Sequence, residues 1–78
     1  LASVEIYGID RTGIILDLTK LITSDFSINM RAISVQSHDG IFEGTISLYV
    51  QDIESLNMLL DNLRKIKGIE RVKRLMNT

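Results

Sequence analysis

Four residues of unlike chemistry, Asp10-Arg11-Thr12-Gly13, interrupt the run YGIDRTGIILDLTKLI where a strand-like pattern gives way to a helical one. Free N–H groups at a helix N-terminus attract a carboxylate, and an acid beside them can take an ammonium. Gly13 has no side chain to bar a ligand's approach. The combination suits a small zwitterion. A mechanical explanation covers the same residues: Thr12 or Asp10 caps the helix, and Gly13 allows close packing at its first turn. Asn29 begins the next strand-like segment and is expected beside this loop, where its amide adds a donor and an acceptor.

Other reactive side chains are sparse. The chain has no cysteine and a single histidine, so it offers neither a thiol nucleophile nor a zinc ligand set. His38 precedes an Asp-Gly turn and reads as a solvated turn residue. Asp17, Asp25, Asp52, Glu54 and Asp61 fall at helix faces and caps, where helix dipoles and solubility call for acids. No GxxxxGK or GxGxxG run is present. These absences predict no catalytic residues, no metal and no cofactor.

The elements that position the loop follow from periodicity. Val4 and Ile6 alternate with Glu5 and Tyr7, the period of a half-buried strand. From Ile14 the period changes: Ile14, Leu18, Leu21 and Ile22 share one helical face, while Asp17, Lys20 and Ser24 take the other. That spacing predicts a helix of about three turns, closed by Asp25-Phe26-Ser27. Residues 28–37 read as a second strand of mixed parity. Ile28, Met30 and Ala32 oppose Ile33 and Val35, so a bulge near Ala32 or burial of both faces is expected. Asp39-Gly40 signals a type I′ hairpin turn.

In the third strand Phe42, Gly44, Ile46, Leu48 and Val50 point one way. Asp52 then caps a helix striped by Ile53, Leu56, Leu59, Leu60, Leu63 and Ile66, with Gly68 at the expected C-cap and a last strand from Ile69 to Met76. The order is strand, helix, strand, strand, helix, strand. Right-handed crossovers then give an α+β, ferredoxin-like βαββαβ sandwich: a four-stranded antiparallel sheet, first and third strands central, with both helices on one face. The other face is expected to show Glu5, Tyr7, Thr45, Ser47 and Tyr49.

With 78 residues and 45% hydrophobic content, residues 1–78 are expected to form one domain with a small core. Stability should come from packing plus self-association or attachment to a larger protein, and the start at Leu1-Ala2-Ser3 suggests a fragment. No apolar run approaches the roughly 18 residues of a membrane span, so no membrane partner and a cytoplasmic location are expected. Net charge is −1, but unevenly spread. Residues 1–63 carry three basic and nine acidic side chains; 64–78 carry six basic and one acidic. That pattern argues against a broad nucleic-acid surface and leaves a local anion contact open.

VEIYGIDRTGIILDLTKLI, then SINMRAISV, the Asp39-Gly40 turn, GTISLYV and a leucine-rich second helix resemble an ACT domain, the small regulatory module of amino-acid metabolism. The motif is an acid, Arg, any residue and Gly before aliphatics, here Asp10, Arg11, Gly13, Ile14 and Leu16, with Asn29 at the next strand. Thr12 replaces the usual proline. With the closing GIERVKR, the chain is most similar to the C-terminal ACT domain of the long bifunctional guanosine tetra- and pentaphosphate synthetase/hydrolases (GTP pyrophosphokinases) of the stringent response.

That resemblance implies a regulatory, non-catalytic piece whose catalytic domains lie upstream. It also implies paired domains, often with an eight-stranded sheet, and an amino-acid effector, branched-chain in the stringent enzymes, held between the first loop of one copy and a neighbouring copy. Onto this sequence it carries a ligand site at Asp10, Arg11, Thr12, Gly13, Ile14 and Ile15, with Ile28, Asn29 and Met30. A homodimer through a sheet edge or helices is expected, and tRNA or ribosome contact is a further partner the resemblance allows. Two other readings stay open. The topology is shared with RNA-recognition motifs, with Tyr7 and Tyr49 available for stacking and Arg64, Lys65, Lys67, Arg71, Lys73 and Arg74 for phosphates. A docking or dimerisation piece that has lost its ligand is the other.

Overall fold

The computed structural model describes residues 1–75. The elements are β1 (Ala2–Ile9), α1 (Ile14–Lys20), a π-helical segment (Leu21–Asp25), β2 (Asn29–His38), β3 (Ile41–Tyr49), α2 (Ile53–Leu63) and β4 (Ile69–Leu75). The strands form one antiparallel sheet in the order β2-β3-β1-β4. This is the expected ferredoxin-like sandwich. Met76, which the sequence pattern included in the last strand, lies outside the described residues.

Alternation decides which face is buried. Ala2, Val4, Ile6 and Gly8 of β1 and Phe42, Gly44, Ile46 and Leu48 of β3 are buried. Against them pack Ile14, Leu18 and Ile22 from the first helical segment and Leu56, Leu59, Leu60 and Leu63 from α2. The core is wholly apolar among the described residues. Ile53, expected on the α2 stripe, is instead 56% exposed, and the buried stripe begins at Leu56. Val50 is only half-buried, just beyond β3.

The awkward parity of β2 resolves as a bulge. The register against β3 shifts between Met30 and Ala32, so Met30, Ile33 and Val35 all face the helix side, opposite Leu48, Ile46 and Gly44. Asp39 and Gly40 both have positive φ, 51° and 77°, as a type I′ turn requires. Asp52 accepts the Ser55 N–H at 2.7 Å and caps α2, and that bond holds its carboxyl below the usual aspartate range.

The local end-chemistry differs from expectation in two places. No side chain caps α1; its N-cap is Gly13 itself, left-handed at φ 84°. Thr12 and Asp10 are therefore not the caps that the spacing suggested, because the chain reaches the helix through a conformation that glycine supplies directly. Gly68 is not the C-cap of α2, which ends at Leu63 with Arg64 as cap. It lies four residues later, left-handed at φ 96°, in the turn closed by Ile69 N–H to the Ile66 carbonyl at 3.0 Å. After Lys20 the first helix widens to a π turn. Thr19 and Thr23 return their hydroxyls to backbone carbonyls there, Thr23 to Thr19 at 2.6 Å.

Candidate functional site

The loop after β1 is tied into the fold at three points. The Asp10 N–H bonds the Gly40 carbonyl at 2.9 Å, joining the loop to the β2–β3 hairpin. Ile9 donates to the Gly68 carbonyl at 2.8 Å, joining it to the α2–β4 turn. Arg11 makes the third tie: Nε donates to the Lys67 carbonyl at 2.6 Å, Nη1 to the Thr12 carbonyl at 3.1 Å and Nη2 to Asp17 Oδ2 at 2.7 Å. Thr12, Gly13 and Asp10 are exposed, Ile14 is core and Ile15 is 38% exposed. The loop thus offers an acid, a hydroxyl and a bare glycine at the start of a helix that no side chain caps.

Ile28, Asn29 and Met30 are not beside it. Asn29 sits opposite Tyr49, whereas Ile9 sits opposite Ile41. Eight residues of β3 separate those rows, about 27 Å at the rise of an antiparallel strand. The reason is topological. A crossover helix returns the chain to the end of the sheet where β1 began, so the start of β2 aligns with Ala2 and not with Asp10. Within one chain the predicted residues form two groups at opposite ends, which corrects the expectation that Asn29 neighbours the loop.

The second group has a cavity of its own. Phe26, Ser27, Ile28 and Asn29, with Tyr49, Val50, Gln51, Ser55 and Met58, line a groove of about 550 Å³ between the end of the first helical segment and the start of α2. Every side chain in that lining is uncharged, with apolar groups from Phe26, Ile28, Val50 and Met58. Sequence reasoning missed the contributions of residues 49–58, because they reach the groove from the end of β3, its connection and the start of α2. Their only trace in the sequence is large apolar side chains, Tyr49 and Met58, at positions that prove more than half exposed.

The two sheet edges differ. In β1, Ile9 N–H points to the β4 side and Asp10 N–H to the hairpin side. Carrying that alternation through the registers leaves the backbone groups of Ile33, Val35 and Ser37 pointing outward from β2, and those of Val72 and Arg74 outward from β4. At β4 the Arg64 guanidinium approaches the Val72 carbonyl at 3.4 Å, amid Lys65, Lys67, Arg71, Lys73 and Arg74. Such charge guards an edge. From Ala32 to Ser37, β2 carries no charge, and Ile33 and Val35 stay 40% and 37% exposed.

The uncovered sheet face presents Glu5, Tyr7, Thr45, Ser47 and Tyr49, as expected. The neighbouring Glu5 carboxylate, with Glu43, pushes the Tyr7 phenol above the usual tyrosine range against the opposing Arg71. Among the described residues no His, Asp and Glu cluster could hold a metal ion, and no helix is long and apolar enough to cross a membrane.

No match was found among curated proteins. Solved structures give clear ones. The crystal structure of the ACT domain from GTP pyrophosphokinase of Chlorobium tepidum is 35% identical, covers 95% of both chains and superposes with a TM-score of 0.86. Its solution NMR structure, also 35% identical, covers 99% of this chain and 86% of that one, with a TM-score of 0.84. The small subunit of acetolactate synthase from Thermotoga maritima, 15% identical over 94% of this chain and 45% of its own, shares the fold with a TM-score of 0.78. A family model described as ACT domain matches residues 1–74, and with the Chlorobium relative it establishes that the chain belongs to the ACT domain family.

Proposed function

We propose that the chain is the regulatory ACT domain of a GTP pyrophosphokinase of the guanosine tetra- and pentaphosphate synthetase/hydrolase type. In this reading two copies pair along β2, and an amino acid with a branched apolar side chain binds between them to control catalytic domains upstream. The observation that carries it is the separation of the two residue groups. A site divided between opposite ends of one chain is completed when a second copy is turned end for end.

Antiparallel pairing of two β2 edges does this. With the outward groups of Ile33 meeting those of Val35 in the partner, Ser34 faces its own copy and Asn29 falls level with the partner's Asp39. That residue adjoins the partner's Gly40, whose carbonyl receives the partner's Asp10 N–H within each chain. The loop of one copy and the groove of the other then adjoin. In that arrangement Asp10 takes the ammonium, the start of α1 takes the carboxylate, and the uncharged groove takes the side chain. The uncharged, half-exposed middle of β2 supports pairing at this edge over the guarded edge of β4.

RNA contact through the open face has less support. Arg71 and Lys73 lie beside Tyr7 and Glu5 on that face, but Glu5 and Glu43 set two carboxylates around the ring that a base would stack on.

Complementation tests the divided site. Gly13→Val and Asn29→Ala chains should each fail to shift amide resonances on addition of L-valine. Mixed, they should regain binding, because each mixed dimer holds one site with both groups intact. Failure of the mixture to bind while the unaltered chain does would place the site within one copy. Absence of binding by the unaltered chain to any of the twenty amino acids would sink the effector reading.

A further inference from the structure

Arg11 is part of the motif that marks this loop, and a cation beside a carboxylate-binding loop invites the assumption that it grips the ligand. Its geometry says otherwise. All three guanidinium nitrogens donate within the chain, spanning from the Thr12 carbonyl and Asp17 to the Lys67 carbonyl, 56 positions away. The side chain is 26% exposed. It lies flat against the α2–β4 turn: a Cβ added at Gly68 would stand 3.1 Å from Arg11 Nε and 3.5 Å from the Ile14 side chain.

Behind that contact the packing is tighter still. A Cβ added at Gly8 would meet the Gly68 carbonyl oxygen at 2.2 Å, and the same oxygen receives the Ile9 N–H. The β1–β4 register shifts at this point, between Tyr7 and Gly8. Arg11, Gly68 and Gly8 therefore form a stack in which the loop, the turn and the strand bulge touch one another with no spare room.

We infer that Arg11 is a positioning residue: it holds the Asp10–Gly13 loop in its binding geometry by clasping the loop to the α2–β4 turn, and it does not contact the effector. This rests on the effector-binding reading above for its purpose, but the clasp exists in the free chain and can be tested there. Lysine cannot replace it, since one ammonium cannot span the Lys67 carbonyl and the Asp17 carboxylate together.

The test uses the chain labelled with nitrogen-15, with L-valine and L-valinamide as probes. In the free chain Arg11→Gln should speed hydrogen exchange at the Ile9 amide by about tenfold or more, the scale of losing a charge-assisted bond that closes a local unit. Arg11→Lys should do nearly the same, and Asp17→Ala, which removes the Nη2 acceptor alone, should give a smaller increase of the same sign if Arg11→Gln does not fold.

On adding either probe, the Arg11 Nε–H resonance should stay in place. Arg11→Gln should weaken valine and valinamide by the same factor. An Nε–H resonance that moves with valine but not with valinamide, or an Arg11→Gln chain that no longer distinguishes the two, would show Arg11 holding the ligand carboxylate and overturn the proposal. Unchanged exchange at Ile9 would overturn it without any ligand. If neither probe binds the unaltered chain, the effector reading falls, and the exchange result alone decides the clasp.

Discussion

Proline at position 35 separates the paired domain from the single one. The Val35 N–H points away from β3, so within one chain it makes no ladder bond, and an edge strand tolerates proline where the N–H faces outward. In a β2–β2 pair the same N–H meets the partner's Ile33 carbonyl, and symmetry makes that bond twice. Each such bond contributes about 0.5–1.5 kcal/mol net, so Val35→Pro should cost the dimer about 1–3 kcal/mol. In dissociation constant that is about 5- to 150-fold, before any clash of the ring with the facing strand. Sedimentation equilibrium over a concentration series measures it directly. The control is Ser34→Pro. The Ser34 N–H faces β3 in the pair with Thr45, so that variant should lower the melting temperature of the single chain, whereas Val35→Pro should change it little. Equal dimerisation of Val35→Pro and the unaltered chain would refute pairing at this edge. Reversed effects of the two prolines on monomer stability would refute the assignment of N–H directions.

Gly8→Ala puts a methyl group 2.2 Å from the Gly68 carbonyl, a backbone atom that cannot swing aside, so thermal or urea unfolding should show a loss of about 1–3 kcal/mol. The Asp52 cap should give a pH signature. Its carboxyl titrates lower in the folded chain than in the unfolded one, so its stabilisation is full above the unfolded value and disappears as pH falls through the folded one. Asp52→Ala should therefore melt below the unaltered chain at pH 7, with the gap closing as the solution is acidified below the ordinary aspartate range. A gap that is constant with pH would assign the effect to helix propensity and not to the cap.

The fold was legible because its signals are local. Alternation in residues 4–7 and 42–48, the Asp39-Gly40 turn, the 3.6-residue spacing from Ile14 to Ile22 and the Asp52 cap each lie within a few residues, and connection handedness does the rest. The bulge near Ala32 was visible as a parity conflict, though only pairing with β3 showed that Ile33 and Val35 join Met30 on the helix side. The first loop could be singled out as a candidate ligand site because an acid and a bare glycine at a strand-to-helix junction are a short-range pattern.

What the sequence did not carry was distance. Asn29 follows the loop by sixteen positions in the chain yet lies at the far end of the sheet, since the crossover returns the chain to its starting side. The role of Arg11 depends on a carbonyl 56 residues away, and the groove at Ile28 and Asn29 on side chains from the end of β3 and from α2. Local chemistry named the residues. Which of them meet, which edge of the sheet is left unguarded, and which cation serves the scaffold are properties of long-range packing, where no short pattern in a single chain records the partner.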